Sequence, residues 1–169
     1  MSKIKSAGLL CLGLFAAFTS TGCAGSTSNA SVAVQPADGK IVVAGFSAGT
    51  ISANPSIIDV VRYNTNGTLD TSFGTGGVAN AGLGGIVNQV LLQTDGKIVI
   101  AGNDAGSALG GSAFFIKRLN SNGSVDNTFQ PFVDIQVPGD RDIAIALALQ
   151  SDGKFLELGT VNGEPILVR

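Results

Sequence analysis

Val34-Gln-Pro-Ala-Asp-Gly-Lys-Ile-Val-Val-Ala-Gly45 decides the fold, because it comes back twice. The second copy is Leu92-Gln-Thr-Asp-Gly-Lys-Ile-Val-Ile-Ala-Gly102, and the third is Leu149-Gln-Ser-Asp-Gly-Lys-Phe-Leu-Glu-Leu-Gly159. Asp38, Asp95 and Asp152 each open an Asp-Gly-Lys tripeptide, and successive copies lie 57 residues apart. A constant period in this range marks a repeat architecture rather than one irregular domain. Asp-Gly between two apolar runs is a strong hairpin signal, since glycine supplies the positive φ of a tight turn. Each copy therefore predicts strand, turn, strand.

Working outward, Asp59-Val-Val-Arg-Tyr-Asn64 and Phe114-Phe-Ile-Lys-Arg-Leu-Asn120 predict a third strand. Turns at Asn66-Gly67 and Asn122-Gly123 then lead into Thr68–Phe73 and Ser124–Phe129, which we read as the fourth. Four short antiparallel strands per unit make the blade of a β-propeller. The runs Ile41-Val-Val43 and Ile98-Val-Ile100 are continuously apolar, as expected of strands covered on both faces when blades stack. The Ala44-Gly45 and Ala101-Gly102 pairs that end them suit a crowded place near a ring axis. The fold class is all-β: tandem four-stranded antiparallel blades forming a partial β-propeller, two complete and a third incomplete. Blade 1 spans 31–87, blade 2 spans 88–144 and the partial blade 3 spans 145–169.

The stretch from Val34 to Gly45, continued by Arg62-Tyr-Asn-Thr-Asn-Gly-Thr-Leu-Asp-Thr-Ser-Phe-Gly-Thr-Gly-Gly77, resembles the delta-60 repeat. The extra Ala37, and Gln130-Pro131 in place of Gly74-Thr75, depart from a uniform repeat. That resemblance implies a propeller-type scaffold in a bacterial exported protein and no particular reaction.

The N-terminus reads as an export signal. Lys3 and Lys5 precede the 12-residue apolar run Ala7–Phe18. A membrane-spanning helix needs about 20 apolar residues, whereas a signal peptide needs fewer. Thr19-Ser20-Thr21-Gly22-Cys23 resembles the lipobox of bacterial lipoproteins, with Ser20 where leucine is usual. The resemblance implies cleavage after residue 22 and lipidation of Cys23, with ordinary secretory cleavage as the alternative. Residues 23–30 then form a flexible, lipid-anchored tether. Cys11 leaves with the leader, so the mature chain has no cysteine pair for an internal disulfide.

Without the leader, eight basic residues face twelve acidic ones, a net charge of −4. A mildly acidic chain with scattered cations argues against nucleic acid as partner. The chain has no histidine, the usual acid–base group near neutral pH. Gly45-Phe-Ser-Ala-Gly49 spells a nucleophile elbow around Ser47 but lacks a histidine partner and a strand–turn–helix setting. Asp134, Asp140, Asp142, Glu157 and Glu164 are the carboxylates open to acid–base chemistry, though loop carboxylates are usually solvated. The expectation is a non-enzyme with no catalytic residue and no cofactor.

Asn64-Thr-Asn-Gly-Thr-Leu-Asp70 and Asn120-Ser-Asn-Gly-Ser-Val-Asp126 space oxygen ligands around a glycine turn, as calcium loops do. One carboxylate apiece is few for a calcium site, and Asn-Gly hairpins bonded to their own backbone explain both; no metal site is assigned. Arg62 and Asp70, like Arg118 and Asp126, recur eight residues apart, which suits an ion pair within each blade. Ligand binding falls to the unrepeated segments Phe46–Ser56 and Asn103–Ser112, the second with Asp104, and to the charged cluster Pro138–Asp142, with Asp140, Arg141 and Asp142 as candidates. Scarce aromatic side chains make a glycan the lesser candidate.

Ile166-Leu-Val-Arg169 matches Phe115–Arg118, so the third copy lacks one turn and one strand. Propellers close with about four to eight blades. The expected partners are a second or third copy of the chain, or another protein, together with a membrane through the lipid. The alternative is a purely structural array or a fragment of a longer surface protein.

Overall fold

The structure, a computed structural model, describes residues 30–47, 57–104, 113–129, 143–161 and 163–169. Every regular element among them is a strand, and the strands form three separate antiparallel sheets. The first sheet holds β1 (Ala30–Val34), β2 (Ile41–Ser47), β3 (Ile57–Tyr63) and β4 (Val78–Gly84) in chain order. The second holds β5 (Ile86–Leu92), β6 (Ile98–Asp104) and β7 (Ala113–Leu119). The third holds β8 (Ile143–Leu149), β9 (Phe155–Val161) and β10 (Glu164–Val168). The blade reading thus holds: one four-stranded sheet, then two of three, with no closed sheet among the described residues.

The Asp-Gly-Lys hairpins explain themselves locally. Asp38, Asp95 and Asp152 each use Oδ1 to accept the amide of the lysine two residues on. Gln35, Gln93 and Gln150 donate their amides to the carbonyls of Lys40, Lys97 and Lys154 and so close each turn. Ala37 is absorbed here: Gly39 donates to the Gln35 carbonyl four residues back, whereas Gly96 and Gly153 donate three residues back. The register of β1 on β2 is therefore undisturbed, running from Ala30 opposite Gly45 to Val34 opposite Ile41.

One strand assignment is corrected. Thr68–Phe73 and Ser124–Phe129 are turn segments whose backbone pairs with the third strand at the single bridges Tyr63–Leu69 and Leu119–Val125. Asp70 ends any extended run, because its Oδ1 accepts both the amide and the hydroxyl of Ser72 while its carbonyl accepts the Phe73 amide. The chain curls through Gly74, Gly76 and Gly77, all at positive φ, and returns as β4 alongside β3. The fourth strand of blade 1 is thus Val78–Gly84.

The sheets stack face to face. Val42, Ala44, Ile58, Val60, Ala79 and Ala81 of the first meet Val87, Val90, Ile98, Ile100, Phe115 and Leu119 of the second. The opposite face of the second sheet, with Val99 and Ala101, meets Leu147 and the partly buried Phe155 of the third. Ile98, Val99 and Ile100 are each fully buried, so consecutive residues of β6 face opposite seams, as the unbroken apolar run requires. Gly102 is crowded within its own sheet. A Cβ there would lie 1.9 Å from the Ile86 carbonyl oxygen of β5, beside the irregularity between Val87 and Gln89. At the two ends the outward faces stay apolar: Val32 and Val34 are exposed on the first sheet, and Leu158 and Leu167 on the third.

Candidate functional site

The most elaborate polar arrangement recurs at the same place in blades 1 and 2. Lys40, at the exit of the Asp-Gly-Lys turn, and Arg62, on β3, converge on the turn residue Asp70. Asp70 Oδ2 accepts from Lys40 Nζ at 2.9 Å and from Arg62 Nε at 2.7 Å. In blade 2, Asp126 Oδ2 accepts from Lys97 Nζ and Arg118 Nε, both at 2.9 Å. Its Oδ1 accepts from the amide and hydroxyl of Thr128, as Asp70 does from Ser72. These bonds hold both carboxyls well below the usual carboxylate range: first the Ser72 or Thr128 hydroxyl, then the lysine, with the arginine a smaller contributor.

Each arginine also lies over the ring that follows its aspartate. The Arg62 guanidinium carbon is 4.6 Å from the Phe73 centroid, and that of Arg118 is 4.3 Å from the Phe129 centroid. Residues of this arrangement then reach the next blade. Arg62 Nη1 donates to the Ser121 carbonyl of blade 2 at 2.7 Å, and Gly74 donates its amide to the Asn122 carbonyl. Phe129 meets Phe155 of blade 3 edge to face, with centroids 5.7 Å apart. The recurring Arg–Asp spacing therefore marks a joint between blades as well as an ion pair within one. Blade 3 repeats only part of it: Lys154 and Arg169 both lie near Asp152, exposed, and Arg169 Nε donates to Gln150.

The side chains of the two Asn-Gly loops are engaged with one another and with their own backbone. Asn66 and Asn122 use Oδ1 to accept the amide and hydroxyl two residues on. Asn64 donates to Thr68 Oγ1 and to the Leu69 carbonyl. The single carboxylate of each loop is paired with a lysine and an arginine. The loops are Asn-Gly hairpins.

A second set of contacts was not read from the sequence. Ser31 Oγ accepts the Val90 amide at 3.0 Å, and Gln89 Oε1 accepts the Leu147 amide at 2.7 Å. Ser31 and Gln89 are equivalent in successive copies, as are Val90 and Leu147, so one clamp is used twice between first strands. Asn88 adds to the second seam by donating to Asn103 Oδ1 and the Ala144 carbonyl, while Asn103 accepts the Ala144 amide. The available signal was polar residues inside otherwise apolar first strands.

Of the carboxylates named from sequence, Glu164 is exposed at the start of β10 and Glu157 is buried on β9. They do not come together: Glu164 pairs with Val161 and Glu157 with Val168. Burial raises the Glu157 carboxyl to about 7. Ser47 is the last residue of β2, opposite Ile57, and Asp104 the last of β6, opposite Ala113. Cys23, Asp134, Asp140, Arg141, Asp142, the N-terminal stretch read as an export signal and most of the two unrepeated segments lie outside the described residues. No helix among the described residues is long and apolar enough to cross a membrane.

A family model described as a beta-propeller domain of unknown function, DUF5122, matches residues 37–73 and again 93–129. Each match runs from the Asp-Gly-Lys turn to the phenylalanine under the arginine. This is a propeller-type repeat protein. No curated protein and no solved structure matches the chain. The two matched stretches hold the whole Lys–Arg–Asp–Phe joint, so the joint belongs to the propeller scaffold rather than to a site peculiar to one blade.

Proposed function

We propose that this propeller-type protein is a non-enzymatic binding or scaffold module, exported and anchored through Cys23, that associates with further copies of itself. The observation that carries the reading is the way its blades stack. The outward face of the third sheet is the counterpart of the faces on which the second and third sheets sit. The outward face of the first is the counterpart of the faces that sit upon them. Both are apolar: Leu158 and Leu167 at one end, Val32 and Val34 at the other, with Val34 61% and Leu167 63% exposed. A second copy supplies the complementary face with no new type of contact, and a head-to-tail contact of this kind closes when the rotation permits.

Support for export comes from the leader and the cysteine that follows it, and support for a non-enzymatic role from the ion-paired, turn-bonded carboxylates of the repeated joint. Ligand recognition is assigned to the unrepeated segment that carries Asp104 and to the charged cluster of Asp140, Arg141 and Asp142. The test is the solution mass of the chain by light scattering after size exclusion, for the native protein and for Val34→Lys and Leu167→Lys. A discrete dimer or trimer that both variants dissociate supports the reading; a native monomer refutes self-association. Separately, incorporation of labelled palmitate that Cys23→Ser abolishes supports the anchor, and unlabelled native protein refutes it.

A further inference from the structure

Glu157 stands where a core hydrocarbon should be. The third Asp-Gly-Lys hairpin aligns it with Val43 and Ile100, both buried. On β9 it shares a face with Phe155, which packs against the cluster of Val99, Ala101 and Leu147 between blades 2 and 3. Its cross-strand neighbours are Leu147, buried at 3%, and Val168. Glu157 itself is only 3% exposed, and its Oε1 meets no hydrogen-bond partner. A buried carboxyl so placed is tolerated when neutral and costly when charged.

The charged groups around it are engaged elsewhere. β5 and β8 contain no titratable residue. On β7, Arg118 shares the face of Val99 but is held by Asp126 and Gln93, and Lys97 just before β6 is held by Asp126 as well. Lys117 is on the other face of β7, toward Gly82 of blade 1, and burial lowers its pKa. β6 has only the terminal Asp104, and β10 only Glu164, exposed at its start. Lys154 and Arg169 sit exposed around Asp152.

We propose that Glu157 makes the seating of the third blade on the second depend on pH: closed while the carboxyl is protonated, loosened once it ionises. The sign follows from linkage. The carboxyl titrates at about 7 in the folded chain against 4.5 when freely solvated. The favourable contribution is whole below the unfolded value and is lost as pH rises through the folded one. Between pH 5 and pH 8 the ideal loss in the closing constant is roughly 70-fold, and solvent reaching the rim of the seam trims this, so a fall of about tenfold or more is expected.

The test is amide hydrogen exchange of the full chain at pH 5 and pH 8, corrected for intrinsic rates. It compares peptides over 143–161 with peptides over 57–63, in the native protein, in Glu157→Gln and in Glu157→Ile. The expected result is a tenfold or larger loss of protection over 143–161 at the higher pH, none over 57–63, and no such loss in either variant. The isoleucine variant carries the side chain of Ile100 and keeps the test intact if the glutamine variant folds poorly. Native protection over 143–161 that does not change with pH, or a change that both variants retain, overturns the proposal.

Discussion

Gly67 and Gly123 occupy the same place in consecutive Asn-Gly turns, with φ of 84° and 92°. Replacing either with alanine forces a side chain into the left-handed region at a cost of about 1–2 kcal/mol. Their surroundings differ. A Cβ on Gly67 would meet nothing within 4 Å. A Cβ on Gly123 would lie 2.9 Å from the Gly74 amide nitrogen, 3.0 Å from Ala79 Cβ and 3.1 Å from Phe73 Cε2, all in blade 1. The Gly74 amide is pinned by its bond to the Asn122 carbonyl, and Phe73 is fully buried beneath Arg62, so little of this can yield. Overpacking of this kind adds about 1–3 kcal/mol. Gly123→Ala should therefore destabilise the chain by about 2–5 kcal/mol, and Gly67→Ala by only about 1–2 kcal/mol. Urea unfolding followed by far-ultraviolet circular dichroism measures both midpoints, and m-values within error of native confirm that only stability moved. Equal destabilisation by the two variants would refute the seating of the blade 2 turn against blade 1.

Other consequences of the packing are separable. Phe73→Ala empties a fully buried site and removes the surface beneath Arg62, which should cost about 3–5 kcal/mol in the same urea assay. Gly102→Ala places a Cβ 1.9 Å from the Ile86 carbonyl oxygen, so β5 must shift; amides of β5 and β6 should exchange faster while those of β2 and β3 do not. The carboxyls of Asp70 and Asp126 are held below their ordinary range. Their contribution is present above about pH 4 and is lost as pH falls below it. Thermal midpoints should drop on the acid side, and Asp70→Asn with Asp126→Asn should lower the neutral midpoint and flatten that drop. Glu157 acts in the opposite direction, so native stability should peak on the mildly acid side of neutrality.

Much of the fold was legible because the chain writes it in local chemistry. Asp-Gly-Lys names its own turn, since the aspartate accepts the lysine amide and the glycine supplies the positive φ. Three unbroken apolar residues in β6 announced coverage on both faces. The spacing of Arg118 and Asp126 gave the ion pair, yet not its third member: Lys97 lies 29 residues from Asp126 and is brought there only when the hairpin stacks beside the turn. The fourth strand was misplaced because Thr68–Phe73 has strand-like side chains, while Asp70 diverts the backbone into hydrogen bonds with Ser72. The clamps of Ser31 and Gln89 join residues 58 or 59 positions apart, and one polar residue in an apolar strand does not say which amide it will meet. Glu157 was visible as a candidate carboxylate, but its burial against blade 2 depends on how the sheets face one another.

That facing is the central claim, and two amides report on it directly. Val90 and Leu147 lie on the first strands of blades 2 and 3, and each donates to a side chain of the blade before it, Ser31 and Gln89. Residue-resolved hydrogen exchange by nuclear magnetic resonance should find both amides protected, with Ser31→Ala exposing Val90 alone and Gln89→Ala exposing Leu147 alone. Val90 and Leu147 exchanging at the rate of free amides in the native chain would contradict the face-to-face stack.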